Sequence, residues 1–245
     1  MKSFRSVFYF LFFSLSMLKA TESIAQARVT TVGLCYKPIF PVDFLRTGPE
    51  SIKKENVQLT TGLNKGFSGG MVIRRGFSDL LAGEAGIQYI RRDYDFSIID
   101  SNVRIDRSFR TIGYEIPVSA MVFVQLAEKL FMNASLGTGI DAFASSVRTS
   151  ESTFEQIAKK RYVVQPIISA NLGWEYRTTG SGTIYLGATF HRPINSIYNN
   201  GVNYRNNGKD VVLVQELSGS YITADLRYYF HEDPDVKRKK KKASK

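Results

Sequence analysis

Long runs of alternating side chains constrain this chain more than any other feature. Within residues 162–176, every second residue is apolar or aromatic, and most residues between them are polar or glycine. Similar runs occupy residues 112–124, 130–142 and 222–230. Because successive side chains of a β-strand point to opposite faces of the sheet, this period of two predicts strands with one apolar and one polar face. The chain is therefore predicted to be all-β.

The length of the runs favours a membrane barrel over a soluble sandwich. Soluble strands usually span about 5–6 residues, whereas several runs here exceed ten. Most of the apolar face carries no charge, and aromatic residues close it at Trp174, Tyr176, Tyr228 and Phe230. Lipid-facing bands of outer-membrane barrels end in such aromatic girdles. We predict an eight-stranded antiparallel transmembrane β-barrel, with a soluble periplasmic β-sandwich as the alternative that alternation alone does not exclude.

The predicted strands and connections follow the layout of such a barrel. The strands are residues 28–38, 66–75, 81–97, 108–125, 130–147, 161–177, 183–192 and 214–230. Short turns are predicted at 76–80, 126–129 and 178–182, and long polar connections at 39–65, 98–107, 148–160 and 193–213. An even strand number with short periplasmic turns and long extracellular loops is typical of outer-membrane barrels.

The amino terminus predicts export from the cytoplasm. Lys2 and Arg5 precede a nearly continuous apolar run at residues 7–18, and Ala25-Gln26-Ala27 supplies a small-residue cleavage site. This order is that of a secretory signal peptide covering residues 1–27. The apolar run is shorter than the roughly 20 residues that a spanning helix needs. The barrel would then occupy residues 28–230, in the cell outer membrane.

Residues 231–245 form a basic segment, which is predicted to be a disordered periplasmic tail. Its cations are Lys237, Arg238, Lys239, Lys240, Lys241 and Lys242, followed by Lys245. A charge run of this kind can bind cell-wall polymer, lipid head groups or an acidic protein, or it can simply remain solvated. Nucleic acid is an unsuitable partner, because the chain is exported and no aromatic residue interrupts the basic run.

Charged residues also fall on the polar face of the predicted strands. These inward positions are Lys37, Glu84, Arg92, Glu115, Asp141, Glu175, Asp225 and Arg227. Eight strands leave a lumen that side chains fill, so buried charges there must pair. We predict an internal salt-bridge network that plugs the lumen, with a gate or a narrow ion path as the alternative.

Few residues suggest catalysis or a cofactor. The chain has one cysteine, Cys35, and two histidines, so no disulfide framework or multi-cysteine zinc site is expected. Cys35 is interpreted as an inward packing residue. His191, where strand 183–192 meets a long connection, could serve a lipid-modifying enzyme, but the nucleophile–base–orienter set is not visible. No catalytic residue, metal site or cofactor is predicted, and the protein is predicted not to be an enzyme.

Several stretches give the chain a family resemblance. They are GGMVIR at 69–74, EAGIQYIRR at 84–92, YEIPV at 114–118, LFMNASLG at 130–137 and YYF at 228–230. In this order they resemble the small outer-membrane β-barrel family of Bacteroidetes, a porin family that includes PorT-like proteins. The resemblance implies a barrel in the outer membrane and, through the PorT-like members, a part in type IX protein secretion. The chain departs from the family in continuing for 15 residues beyond Phe230.

The leading functional hypothesis is therefore a non-enzymatic outer-membrane barrel. Its role would be structural, or accessory to an envelope assembly such as the secretion system. Its partners would be outer-membrane lipid, lipopolysaccharide, and envelope proteins or cell wall bound through the tail. The formal net charge of +11 suits contact with anionic partners. The alternatives are a narrow solute or ion channel and a lipid-modifying outer-membrane enzyme.

Overall fold

The structure is a computed structural model that describes residues 29–41, 49–101, 103–144, 146–206 and 208–231. The predicted signal peptide and residues 232–245 of the predicted tail lie outside these residues. Across the described residues, no helix has the length and apolar character needed to span a bilayer.

The described residues form thirteen strands. They are β1 (Thr30–Phe40), β2 (Glu50–Lys54), β3 (Val57–Gly76), β4 (Leu81–Asp100), β5 (Val103–Gln125), β6 (Leu130–Phe143), β7 (Val147–Ser150), β8 (Phe154–Lys160), β9 (Val164–Arg177), β10 (Thr183–Pro193), β11 (Tyr198–Asn206), β12 (Lys209–Leu217) and β13 (Tyr221–Tyr229).

Eight of these strands close into an antiparallel ring. The order around the ring is β1-β3-β4-β5-β6-β9-β10-β13, and β13 pairs with β1 again. Closure leaves no unpaired edge in the barrel wall, which is the condition for placing strands in lipid. The predicted eight-stranded antiparallel barrel is confirmed.

Successive side chains of each barrel strand point alternately into the lumen and outward, as the sequence alternation predicted. Along β9, buried and exposed residues alternate without interruption from Val164 to Glu175. The polar members of this strand, such as Asn171 and Glu175, point into the lumen, whereas Leu172 and Trp174 point outward. Three short turns close one end of the barrel, with hydrogen bonds from the amides of Phe77, Leu126 and Thr178.

The other end of the barrel carries a second sheet, which we call the cap sheet. It consists of β7, β8, β11 and β12 in the order β12-β11-β8-β7. The cap sheet packs over the barrel mouth, which we call the upper end because it lies opposite the short turns. β2 and the parts of β3, β4 and β5 at this end pack with it. A buried amide joins the two sheets, because Asn200 Nδ2 on β11 donates to Thr61 Oγ1 on β3 at 3.1 Å.

The polarity of the two faces inverts along β4 where it leaves the barrel. In the barrel, Ile87 and Tyr89 face outward, and Glu84 and Gln88 are buried inside. Above Tyr89 the outward positions become Arg91, Asp93 and Asp95, and the inward ones become Tyr94, Phe96 and Ile98. The lower half of the strand therefore suits lipid outside and a polar lumen, and the upper half suits water outside and an apolar core.

The long polar connections are largely built of regular strands. β2 and the upper part of β3 lie within 39–65, β7 and β8 within or at the border of 148–160, and most of β11 and β12 within 193–213. The sequence did not predict these strands, because short segments with mixed polar faces lack the long apolar alternation of the barrel wall. The predicted long connection 98–107 is wrong, because β4 continues to Asp100 and β5 begins at Val103.

The predicted last strand, 214–230, is wrong in its first part. The strand is interrupted between β12 and β13 by a turn at Gly219, which has a φ of +71°. Residues 214–217 belong to the cap sheet. The apolar alternation of β12 runs into that of β13 without a change of period, so the sequence pattern concealed the turn.

Two adjacent glycines give a matched test of strand packing. A Cβ at Gly70 would lie 2.1 Å from the Ile87 backbone oxygen, whereas a Cβ at Gly69 would lie 3.5 Å from the Cys35 oxygen. We expect Gly70→Ala to destabilise the barrel by about 1–3 kcal/mol, because backbone must move to relieve the overlap. Gly69→Ala should refold like the wild type. Heat-modifiable mobility of the refolded protein in gel electrophoresis measures both, and equal folding of the two variants would contradict the packing described here.

Candidate functional site

The barrel lumen is the most densely charged interior of the described structure. All eight charged residues that the sequence predicted to point inward are buried in it: Lys37, Glu84, Arg92, Glu115, Asp141, Glu175, Asp225 and Arg227. They come from six of the eight barrel strands, so strand closure, and not proximity in sequence, brings them together.

The first part of this network lies towards the short turns. Glu175 accepts hydrogen bonds from Arg74 Nη1 at 2.5 Å and from Arg177 Nε at 2.7 Å. Glu84 accepts one from Arg227 Nη1 at 2.6 Å and another from the Tyr229 hydroxyl. The Arg74 guanidinium also lies 3.6 Å from the centre of the Tyr229 ring, a cation–π contact. Each carboxylate therefore meets at least two donors.

Asp225 lies in the middle of the network and accepts hydrogen bonds from several side chains. Its Oδ2 accepts from Arg227 Nη2 at 2.6 Å and from the Thr189 hydroxyl at 2.6 Å, and lies 3.8 Å from Lys37 Nζ. Its Oδ1 accepts from the Thr223 hydroxyl at 2.6 Å. Charge-assisted bonds of this number compensate the desolvation of a buried carboxylate.

The last part lies beneath the cap. Arg92 Nη2 donates to Asp141 Oδ2 at 2.9 Å. Glu115 Oε2 lies 3.4 Å from His191 Nδ1 and accepts from the Tyr221 hydroxyl at 3.2 Å. The rings of His191 and Tyr221 stack with centres 4.6 Å apart. His191 is thus an interior residue of the lumen, and sequence reasoning placed it only at the strand end.

Two further arginines complete the network. Arg74 is 1% exposed, and the Arg177 side chain is 15% exposed. The eight predicted residues include more carboxylates than cations, and adding Arg74 and Arg177 makes the numbers equal. Arg177 continues the inward alternation two residues beyond Glu175, and Arg74 occupies an inward position of β3. The unmatched carboxylates were therefore a signal that could have found both arginines.

Little empty space remains among these side chains. A cavity of about 20 Å³ lies between Lys37, Ser135, Asn171 and His191, with Glu84 and Arg227 at its wall. A volume of this size holds about one water molecule. Both ring nitrogens of His191, Glu115 Oε1 and Asp141 Oδ1 have no hydrogen-bond partner among the described residues. His191 lines the cavity, so its ring nitrogens offer polar partners that a buried water needs.

An apolar core covers the mouth of the lumen above this network. Phe143 at the top of β6 meets Tyr198 of β11 edge to face, with ring centres 5.5 Å apart. Tyr94 stacks on Phe109 at 5.3 Å. The same buried cluster includes residues from both sheets: Ile39, Leu59, Leu63, Ile98, Phe154, Val202, Tyr204, Val211 and Leu213. The lumen is thus filled by charges and covered by a hydrophobic core.

Side-chain hydrogen bonds join the two edges of the cap sheet to neighbouring segments of the barrel. Glu216 on β12 accepts hydrogen bonds from the Ser196 hydroxyl at 2.7 Å and from Arg161 Nη1 at 2.9 Å. These two donors hold the pKa of Glu216 below its ordinary value. On the opposite edge, Arg107 of β5 makes two hydrogen bonds to Glu151, which precedes β8, at 2.7 and 2.9 Å.

Aromatic side chains border the outward apolar band at both ends. Trp174, Tyr176, Tyr228 and Phe230 are exposed near the short turns, and the rings of Tyr228 and Phe230 meet at 5.4 Å. Towards the cap, a second row runs across four neighbouring strands: Tyr36, Phe67, Tyr89 and Tyr114, each ring about 6 Å from the next. Exposed Leu, Ile and Val side chains fill the band between the rows.

The remaining predicted features have simple placements. Cys35 is buried, and its Sγ donates to the Gly70 backbone oxygen at 3.5 Å. The six basic tail residues Lys237, Arg238, Lys239, Lys240, Lys241 and Lys242 lie outside the described residues. Among the residues that are described, no group of three or more His, Cys, Asp or Glu side chains could hold a metal ion.

Two solved structures are similar to this chain. The crystal structure of the outer membrane protein OprG from Pseudomonas aeruginosa has a TM-score of 0.50 at 11% sequence identity, covering 85% of this chain and 100% of that chain. The crystal structure of the outer membrane protease OmpT from Escherichia coli has a TM-score of 0.35 at 12% identity, over 82% of this chain and 96% of that chain, which is too low to bear on the activity. No protein-family model and no curated protein matches the sequence. The likeness to OprG shows that the chain has the fold of an outer-membrane β-barrel.

The pair Arg92–Asp141 gives a test of the lumen network. Both side chains are almost fully buried, so Arg92→Gln leaves an uncompensated carboxylate and should lower the free energy of unfolding by about 3–5 kcal/mol. Adding Asp141→Asn should restore much of this loss. Arg104→Gln, which removes an arginine from an exposed Arg–Asp pair, serves as the control and should change little. Urea unfolding in detergent micelles measures the free energy of unfolding of the wild type and the three variants. A double variant no more stable than Arg92→Gln would contradict the pairing.

Proposed function

We propose that this protein is a non-conducting outer-membrane barrel that presents a folded β-sheet cap at the cell surface. Its role is structural, or accessory to a larger envelope assembly, and it acts by binding and not by catalysis. Type IX protein secretion is the assembly that the family resemblance suggests. The tail at residues 231–245 would supply a second contact, with cell wall or protein, on the periplasmic side.

One observation carries this proposal: the lumen is occupied along its length. The charges of the network neutralise one another, the cavity beside His191 has room for about one water, and the apolar core covers the mouth. A pore needs a continuous aqueous path, and this arrangement favours a closed barrel. The narrow channel remains the second candidate, because buried charges could rearrange into a path if the cap moved.

The position in the outer membrane rests on three features. The outward face of the barrel is apolar between two aromatic rows, the fold is that of an outer-membrane barrel, and the amino terminus has the order of a signal peptide. The polarity inversion along β4 shows which end of the barrel leaves the membrane, because the strands beyond Tyr89 have a water-facing outer surface. Short turns are typical of the periplasmic end of outer-membrane barrels, and on that ground we propose that the cap projects on the extracellular side.

A lipid-modifying enzyme fits the site less well. Such an enzyme needs a base next to a nucleophile that an acyl chain can reach. His191 lies inside the lumen beside Glu115, and the cavity it lines is too small for an acyl chain. The proposed role is therefore a binding role, in which the cap sheet and the connecting segments form the exposed surface.

Planar-bilayer recording tests whether the barrel conducts. We expect the full-length protein to give no steady single-channel openings at any holding voltage at which an open porin, inserted in the same bilayer, conducts. Steady openings of uniform size would overturn the closed-barrel proposal and favour the channel.

Cysteine labelling on intact cells tests the proposed direction. Cys35 is buried and should not react, so it needs no replacement. Val214→Cys on the outer face of the cap sheet should react with a membrane-impermeant maleimide, because Val214 is 58% exposed. Glu128→Cys, in the short turn between β5 and β6, should react only after lysis. Labelling of Glu128→Cys on intact cells with protection of Val214→Cys would reverse the orientation.

A further inference from the structure

The outer surface of the barrel carries a cationic cluster directly above one aromatic row. Its members are Lys65 on β3, Arg91 and Asp93 on β4, and Arg110 on β5. All four occupy outward positions, and the strand register sets Lys65 and Arg110 on either side of Asp93. We call this set the rim cluster.

Asp93 orients the two guanidinium groups of the rim cluster. Its oxygens accept hydrogen bonds from Arg91 Nε at 3.2 Å, Arg91 Nη2 at 2.8 Å and Arg110 Nε at 2.8 Å. The Asp93 side chain is 13% exposed, against 29% for Arg91 and 54% for Arg110. The carboxylate thus lies beneath the arginines and fixes their planes, while the arginines face outward.

The guanidinium groups retain free donors on this outer side. Among the described residues, the hydrogen bonds of the Arg91 and Arg110 side chains go to Asp93 alone. Arg91 Nη1 and both terminal nitrogens of Arg110 therefore remain available. The rim cluster has one carboxylate and three cations, since Lys65 is the register partner of Asp93 on β3. The next carboxylate up β4, Asp95, accepts a hydrogen bond from Asn64 at 2.6 Å.

The position of the rim cluster next to the aromatic row indicates which class of ligand it meets. Arg91 follows Tyr89 by two residues and pairs with Phe67 across the strands, and both rings belong to the aromatic row. Aromatic girdles of membrane barrels lie at the level of the lipid head groups. Oriented arginines with free terminal nitrogens bind phosphate oxygens by charge-assisted hydrogen bonds. We propose that the rim cluster is a binding site for the phosphate group of an outer-leaflet lipid, with the acyl chains lying along the apolar band below.

This inference rests on the proposed function, because it requires the cap end of the barrel to face the outer leaflet. It adds a defined lipid site on the β3–β4–β5 side of the wall. The ligand class is a phosphorylated glycolipid or other phosphate-bearing lipid of that leaflet. The site would fix the rotation of the barrel against its lipid neighbours, and with it the direction in which the cap presents its surface.

Native mass spectrometry of the full-length protein in detergent micelles tests the site. The probes are lipid A with both phosphates and the same lipid A with both phosphates removed. We expect the wild type to bind the phosphorylated form more tightly, by at least about tenfold, because the free guanidinium nitrogens gain charged acceptors. Inorganic phosphate at the concentration of the lipid should leave this binding unchanged.

The variant Arg91→Gln/Arg110→Gln should lose the preference for phosphorylated lipid A. Arg104→Gln is the matched control, since Arg104 forms a similar pair with Asp106 on the same strand but further from the aromatic row. It should bind as the wild type does. Each variant must first show the heat-modifiable mobility of the folded barrel, which these exposed positions are expected to retain.

Three results would overturn the lipid site. These are no preference in the wild type, a preference that survives in the double variant, or displacement of the lipid by an equal concentration of inorganic phosphate. The outcome is distinguishable from failure of the proposed function. A closed barrel that shows no lipid preference would refute the rim cluster alone, and a conducting barrel that keeps the preference would refute the closed-barrel role alone.

Discussion

Mutual compensation of charge inside a narrow barrel is the condition on which the rest of this structure depends. Eight strands enclose a space that side chains fill, so bulk water does not solvate an ionised group there. Glu84 and Glu175 remain tolerable because arginines on other strands meet them at hydrogen-bond distance. Asp225 is compensated by Arg227 of its own strand and by Lys37 of β1. Such pairs are weak sources of stability but costly to break. Loss of one member would therefore leave an uncompensated charge inside the barrel.

The cap follows from a second constraint, which is the change of solvent along the same strands. Lipid surrounds the lower part of β4 and water the upper part, so apolar residues move from the outer face to the inner face near Tyr89. The inner apolar face then needs a partner. The cap sheet supplies one through residues such as Tyr198 and Val202. The barrel thus becomes a closed body with a polar interior below and an ordinary hydrophobic core above.

These two constraints together shape what the molecule can do. In the proposed function, a filled lumen under a packed core makes the outside the working surface. That surface has three chemically distinct zones: an apolar band, a row of aromatic and cationic residues above it, and a sheet exposed to water. Binding to lipid and to other envelope components uses such zones directly, whereas transport or catalysis would require the interior to open. His191 illustrates the difference, because the ring lies beside Glu115, stacks on Tyr221 and borders a cavity about as large as one water.

The sequence by itself determined the barrel. Alternation over more than ten residues, as in β9, together with an uncharged apolar face bordered by aromatic residues, favoured a barrel in lipid over a soluble sandwich, and the short turns and strand number agreed with it. It also indicated which charged residues point inward, such as Glu115 and Asp225. Only the tertiary structure decided how they pair, because the partners lie on strands far apart in the chain: Arg227 meets Glu84, and Arg74 meets Glu175. The tertiary structure also decided the cap. Its strands are short and their polarity is mixed, so their pairing depends on contacts with the barrel mouth that no local pattern records.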